Sequence, residues 1–131
     1  MATFLLDTCV IIDALNNRRG RPAFLLELAK SGHILACCPI NIAEVYAGVR
    51  PKEQAATEEL LASLQHFPIA PSAARLAGEL KRDFSRKGAT LNLGDAIIAA
   101  VAIHHGLTLL TDNVKAFPMK NLSLYPLPKP S

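Results

Sequence analysis

Hydrophobic positions in this chain fall into short runs separated by longer stretches of helical period. Thr3–Leu6 is a brief apolar run ending at Asp7, the pattern of a buried strand. Cys9–Leu15 is apolar on nearly every side and is stopped by Asn16–Asn17 and Gly20, which predicts a helix with Asp7–Thr8 at the junction. Pro22–Lys30 predicts a second helix, with proline at its start and Gly32 past its end. His33–Cys38 reads as a second strand broken by Pro39, and Asn41 as the cap of a helix running to about Val49. Lys52–His66 is amphipathic, with Ala56, Leu60, Leu61 and Leu64 on one side. After an extended Phe67–Ala70, Ser72 caps a helix over Ala73–Lys87 in which Leu76, Leu80 and Phe84 recur every four residues. A helix over Asp95–His105, a stop at Gly106 and a strand over Leu107–Thr111 come next. A last strand, Leu122–Tyr125, precedes a Pro-rich tail over residues 126–131.

Strands that alternate with helices predict a mainly parallel sheet covered on both faces, a three-layer α/β/α fold in one domain over residues 1–125. In such sheets ligands bind outside the carboxyl ends of the strands. Asp7 directly follows the first strand and Asp112 directly follows the strand ending at Thr111. Glu44 is expected in the first turn of the helix after the second strand, so connectivity places these three acids on one rim. Asp95 opens its own helix but follows a helix and a loop, so connectivity alone does not place it.

Crowded carboxylates repel, and a divalent cation removes that cost. Mg²⁺ and Mn²⁺ favour oxygen ligands and can activate water against a phosphodiester. An acidic cluster of this kind points to metal-dependent phosphodiester hydrolysis. Each acid also has a plainer reading. Asn41-x-x-Glu44 and Asn92-x-x-Asp95 have the spacing of capping boxes, and Asp7–Thr8 and Asp112–Asn113 are good turn formers.

Composition narrows the field. The chain has 131 residues, half of them hydrophobic and 19% charged, which suits one globular core. It carries no Trp and few aromatics, against a single-strand binder built on stacking. A net charge of +3 and a pI near 8.9 are compatible with a nucleic-acid substrate. Three cysteines, Cys9 and the adjacent Cys37–Cys38, make a poor disulfide framework. With no signal peptide and no apolar run of membrane length, the expectation is a cytoplasmic protein with buried thiols and no membrane partner. Neither Cys37–Cys38 nor His104–His105 has zinc-ligand spacing. Phosphate loops of the G-x-G-x-x-G or P-loop kind and the G-x-S-x-G elbow do not occur. On Ala73–Lys87, Arg75, Arg82 and Arg86 share a face; Arg82 and Arg86 are candidate RNA contacts, or part of a solvated face shared with Glu79 and Asp83. Arg18, Arg19 and Arg21 carry the same two readings.

Taken in order, LLDTCVIIDAL, NIAEVYAGV, LGDAIIAAVAIHHGLTLLTDN and VKAF resemble the PIN-domain family, and within it the VapC-type toxins of type II toxin–antitoxin pairs. The resemblance runs over nearly the whole chain. It implies a Mg²⁺- or Mn²⁺-dependent endoribonuclease acting on RNA such as tRNA, a homodimer, and a VapB-type antitoxin as partner. It makes Asp7 and Asp95 metal ligands, Glu44 the intervening catalytic acid and Thr8 the polar residue after the first Asp. The family commonly reads Thr-x-Asp or Thr-x-Asn at the last position, which Asn113 matches. Asp112 then stands in the variable place, as the weaker fourth carboxylate with Asn113 as its substitute. The choice of RNA over DNA rests on the resemblance, because 2′-OH recognition has no sequence signature. A catalytically silent PIN-like module that binds RNA or protein is the alternative, and a phosphomonoesterase is a third. Leu60, Leu61 and Leu64, with Phe24, Leu25 and Leu28, either pack internally or form an antitoxin groove or dimer face.

Overall fold

The structure, a computed structural model, describes residues 2–127. Five short strands form its centre: β1 (Thr3–Leu6), β2 (Ile34–Cys37), β3 (Gln65–His66), β4 (Thr108–Thr111) and β5 (Ser123–Pro126). They pair in parallel in the order β3-β2-β1-β4-β5. The helices are α1 (Thr8–Leu15), α2 (Arg21–Lys30), α3 (Pro39–Tyr46), α4 (Gln54–Ser63), α5 (Pro71–Arg86) and α6 (Leu93–His105). Short 3₁₀ turns lie at Pro51–Glu53 and Val114–Ala116.

Alternation along the strands builds the three layers. Leu5, Ala36 and Leu109 face α5 and α6, while Phe4, Leu6, Cys37 and Leu110 face α1, α2 and α4. Side chains two apart share a face, so a strand of four residues feeds both cores. On α6, Ala96, Ile98, Ala99, Ala100, Val101 and Ala102 are all buried, which is why its sequence is apolar all round. Burying Ile98 contributes roughly 1.5–3 kcal/mol, and enlarging Ala99 to Leu would overpack the seam at a cost of about 1–3 kcal/mol. Gly106 ends the helix at φ +66°, and the Leu107 N–H donates to the Ala102 carbonyl at 2.8 Å. That six-to-one closure needs a left-handed residue, which glycine adopts without strain. No helix among the described residues is long and apolar enough to cross a membrane.

Several expected boundaries move. Pro39 starts α3 instead of merely breaking β2, as its fixed φ and missing N–H permit at a first helical position. Asn41 is therefore inside the helix, where its Oδ1 accepts the Cys38 N–H at 2.8 Å. The stretch Lys52–His66 divides into a 3₁₀ turn, α4 and the two-residue strand β3, paired with β2. Pro71, not a Ser72 cap, opens α5. β5 extends to Pro126 and Leu127 is buried, while residues 128–131 of the expected tail lie outside the described residues. Leu25, Leu28, Leu61 and Leu64 are buried, with Phe24 and Leu60 packed against them. Leu25, Leu60 and Leu64 also line a groove with Leu26 and Ile34.

The strand order sets the position of the site. From β1 the chain steps outward to β2 and β3, then crosses to β4 on the other side of β1. This reversal opens a crevice beyond the carboxyl ends of β1 and β4.

Candidate functional site

Asp7 sits at that reversal as the N-cap of α1. Leu6 pairs with Leu110, so the next residues out, Asp7 and Thr111, face each other across the crevice. Asp7 is only 5% exposed. Its Oδ1 accepts the Thr8 N–H at 2.8 Å and its Oδ2 accepts the Thr111 hydroxyl at 2.7 Å. A buried carboxylate persists only with such donors.

On the α3 side, the Thr8 hydroxyl donates to Glu44 Oε1 at 2.6 Å. Asn41, fully buried, donates from Nδ2 to Thr8 Oγ1 at 2.9 Å. The relay Asn41–Thr8–Glu44 thus fixes which way the Thr8 proton points. Glu44 lies in the second turn of α3, not the first, so it does not close a capping box with Asn41; Pro39 has moved the helix start upstream. Asn92 does cap α6, accepting the Gly94 N–H at 2.8 Å. A Cβ on Gly94 would lie 3.0 Å from Glu44 Oε2, so the α6 start and Glu44 touch there. Asp95 follows in the first turn of α6. Burial, then the charges of Asp7 and Glu44, push its carboxyl up to about 6. The acid that connectivity could not place therefore shares an electrostatic environment with the other two.

On the β4 side, Asp112 Oδ2 meets Arg19 Nη1 at 2.7 Å and Arg21 Nη2 at 3.6 Å. Its Oδ1 accepts the Cys9 thiol at 3.2 Å, and Cys9 also lies 3.4 Å from Asp7 Oδ2. Cys9, expected in the core, is instead a half-buried donor between two carboxylates. Burial, Asp7 and Asp112 hold its thiol far above the usual range, so it remains protonated. Asn113 is exposed, and its backbone N–H donates to Thr111 Oγ1 at 3.0 Å. Of the two candidates for the fourth position, Asp112 is linked to Asp7 by its side chain, through Cys9, whereas Asn113 reaches it only by its backbone, through Thr111.

Sequence reasoning left out Asn41 as a buried donor, Thr111, and the pairing of Arg19 and Arg21 with Asp112. A proline-started α3 would have put Asn41 at its capping third position. The strand-terminal Thr before Asp112 was a further signal. Arg82 and Arg86 are exposed on α5; Arg82 pairs with its neighbour Asp83 at 3.3 Å, and Arg75 with Glu79 at 3.5 Å. Cys37 and Cys38 belong to opposite apolar layers.

The donors gathered at the rim are carboxylate and hydroxyl oxygens, which suit hard cations such as Mg²⁺ or Mn²⁺. Among the described residues, no three His, Cys, Asp or Glu side chains already form a metal-holding group. Mg²⁺ keeps most of its waters and takes only one or two carboxylates directly, so an open arrangement fits it.

Comparison with known proteins gives the family and the fold. The PIN domain family matches residues 4–118. The ribonuclease VapC10 of Mycobacterium tuberculosis is 36% identical over 115 residues, covering 88% of this chain and 86% of the relative. VapC19 of the same organism, also a ribonuclease by name, is 33% identical over 115 residues, 88% and 92% of the two chains. Among solved structures, VapBC2 from Rickettsia felis, bound to a DNA fragment from its promoter, superposes with a TM-score of 0.84 at 26% identity. That match covers 96% of this chain and 99% of the other.

Proposed function

Because the chain belongs to the PIN-domain family and to its VapC ribonucleases, we propose that it is the ribonuclease toxin of a VapBC-type toxin–antitoxin pair, cutting RNA phosphodiester bonds with a divalent cation at the β1–β4 rim. The observation that carries this reading is the convergence of Asp7, Glu44 and Asp95, three acids gathered by separate elements, with the Asp95 carboxyl pushed up to about 6 by burial and then by the charges of Asp7 and Glu44.

Asp7 and Asp95 would hold the cation, Mg²⁺ or Mn²⁺. When bound it supplies a Lewis acid for the phosphodiester and a more acidic water. The remaining steps belong to side chains. Thr8 commits its proton to Glu44 Oε1, which leaves Oε2 beside Gly94 as the oxygen that accepts a proton from the attacking water. Thr111 and the Thr8 amide fix the Asp7 carboxylate, so its orientation costs no reorganisation during the reaction. Asp112 supports Asp7 through Cys9 and takes the weaker fourth role. Arg82 and Arg86 supply phosphate contacts on α5. A VapB-type antitoxin is the partner suggested by the complexes among structural neighbours, and a homodimer belongs to the same reading.

The test is cleavage of total cellular RNA by purified protein in Mg²⁺, Mn²⁺ and EDTA, with Asp95→Asn alongside. Discrete fragments that require metal and vanish in the variant support a selective ribonuclease. RNA binding without metal-dependent cutting would leave a silent binding module, and hydrolysis of a generic aryl phosphate would move the assignment to phosphomonoesters.

A further inference from the structure

We propose that Arg19 is a contact to the substrate phosphate, stored on Asp112 until RNA arrives. This rests on the ribonuclease reading above and extends it to a residue outside the acidic set. Arg19 lies in a tightly wound loop: Asn17, Arg19 and Gly20 all have left-handed backbones, at φ +52°, +57° and +66°. A left-handed arginine is uncommon and persists where surrounding bonds impose it. Here the Arg18 N–H donates to the Asp13 carbonyl at 2.8 Å, and the Arg21 N–H to the Arg18 carbonyl at 3.1 Å. The result is a guanidinium delivered to the rim, Nη1 2.7 Å from Asp112 Oδ2.

The two arginines on Asp112 divide the work. Arg21 is 2% exposed and stands 3.6 Å from the carboxylate as a fixed counter-charge. Arg19 is 53% exposed, and the second acid near it, Asp13, is 3.9 Å from Nε. A solvent-exposed ion pair is weak and exchanges partners readily. An RNA phosphodiester is itself anionic, and it must approach Asp7, Glu44 and Asp95. A guanidinium at that edge offsets the repulsion and offers forked N–H donors that match phosphate oxygens. Asp112 loses little when Arg19 turns away, because Arg21 stays.

The experiment uses the uncut complex. In an Asp95→Asn background, binding of bulk tRNA is measured by anisotropy at several KCl concentrations, with and without Arg19→Ala or Arg19→Lys. Arg19→Ala should weaken binding about 10-fold and lower the salt slope by about one counterion. Arg19→Lys should keep the slope and recover only part of the affinity. Mn²⁺ affinity is titrated without RNA in Arg19→Ala and Arg19→Lys proteins that keep Asp95, and wild-type cleavage of the same tRNA in Mn²⁺ is run in parallel. Unchanged affinity and slope in Arg19→Ala, while the wild type cuts, would overturn the role of Arg19 alone. Tighter Mn²⁺ binding with an unchanged RNA slope would also overturn it, making Arg19 a plug on the metal site. Neither binding nor cutting by any form would sink the ribonuclease reading and this proposal together.

Discussion

Glu44 and Asp112 flank Asp7 from opposite sides, and the fold treats their charges differently. Glu44 is met by neutral groups, the Thr8 hydroxyl and behind it the Asn41 amide. Asp112 is met by two guanidiniums and a thiol. On the first side burial, then the charges of Asp7 and Glu44, push the Asp95 carboxyl up to about 6. On the second side the chain supplies its own counter-charge. A carboxylate compensated from within is an anchor for a loop, whereas carboxylates left facing one another mark where a foreign cation belongs.

The largest expected effect falls on the uncompensated side. Asp95→Asn should lower RNA cleavage by about 10²–10³-fold or more while leaving the circular dichroism spectrum unchanged. Cleavage at the wild-type rate would break the comparison outright. Next come the two flanking acids. Glu44→Gln should cost about 100-fold in rate with little loss of stability, as removal of a general base does. Asp112→Asn should cost less activity but destabilise the fold by about 1–3 kcal/mol, because it weakens the charge opposite buried Arg21. Paired rate and denaturant-unfolding measurements would detect a reversal of that order.

The pH dependence of the metal-free protein gives a smaller signal with a definite sign. The folded pKa of Asp95, about 6, lies above the 3.8 of an ordinary aspartate. Between those values the folded state binds more protons than the unfolded one, so this group's contribution to stability falls as pH rises. In EDTA, Asp95→Asn should gain stability relative to wild type as pH rises from about 4 to about 6, then hold a constant lead. A difference that stays flat across that window would remove the like-charge cluster. The smallest effect concerns α5: Arg82→Glu with Arg86→Glu should weaken RNA binding a few-fold and reduce the salt slope by about two. An unchanged slope would leave Arg82 and Arg86 as part of a solvated face.

What could be read from the sequence followed the chain's local order. Asp7 and Asp112 were legible because each directly ends a short apolar run, and a parallel sheet then places both on one rim. Asp95 was legible as a helix-start acid, yet its approach to Asp7 and Glu44 depends on how α6 packs. Glu44 was assigned to the wrong turn because Pro39 resembles a breaker in sequence and acts as a helix start in space. β3 was hidden because the apolar repeat of α4 runs on through Leu64, and two residues are too few to show strand alternation. Cys9 carried no signal of its place between two acids, since a thiol reads as apolar in a helical pattern. The Arg19–Asp112 pair spans 93 residues and lies beyond any local rule.

The most direct measurement is a calorimetric titration of Mn²⁺ into metal-stripped wild type, Asp95→Asn and Asp112→Asn. Binding lost in Asp95→Asn and kept within a few-fold in Asp112→Asn is the result this account predicts. Wild-type affinity in Asp95→Asn, or binding abolished by Asp112→Asn, would contradict it and put the cation on the arginine-bearing side of the crevice.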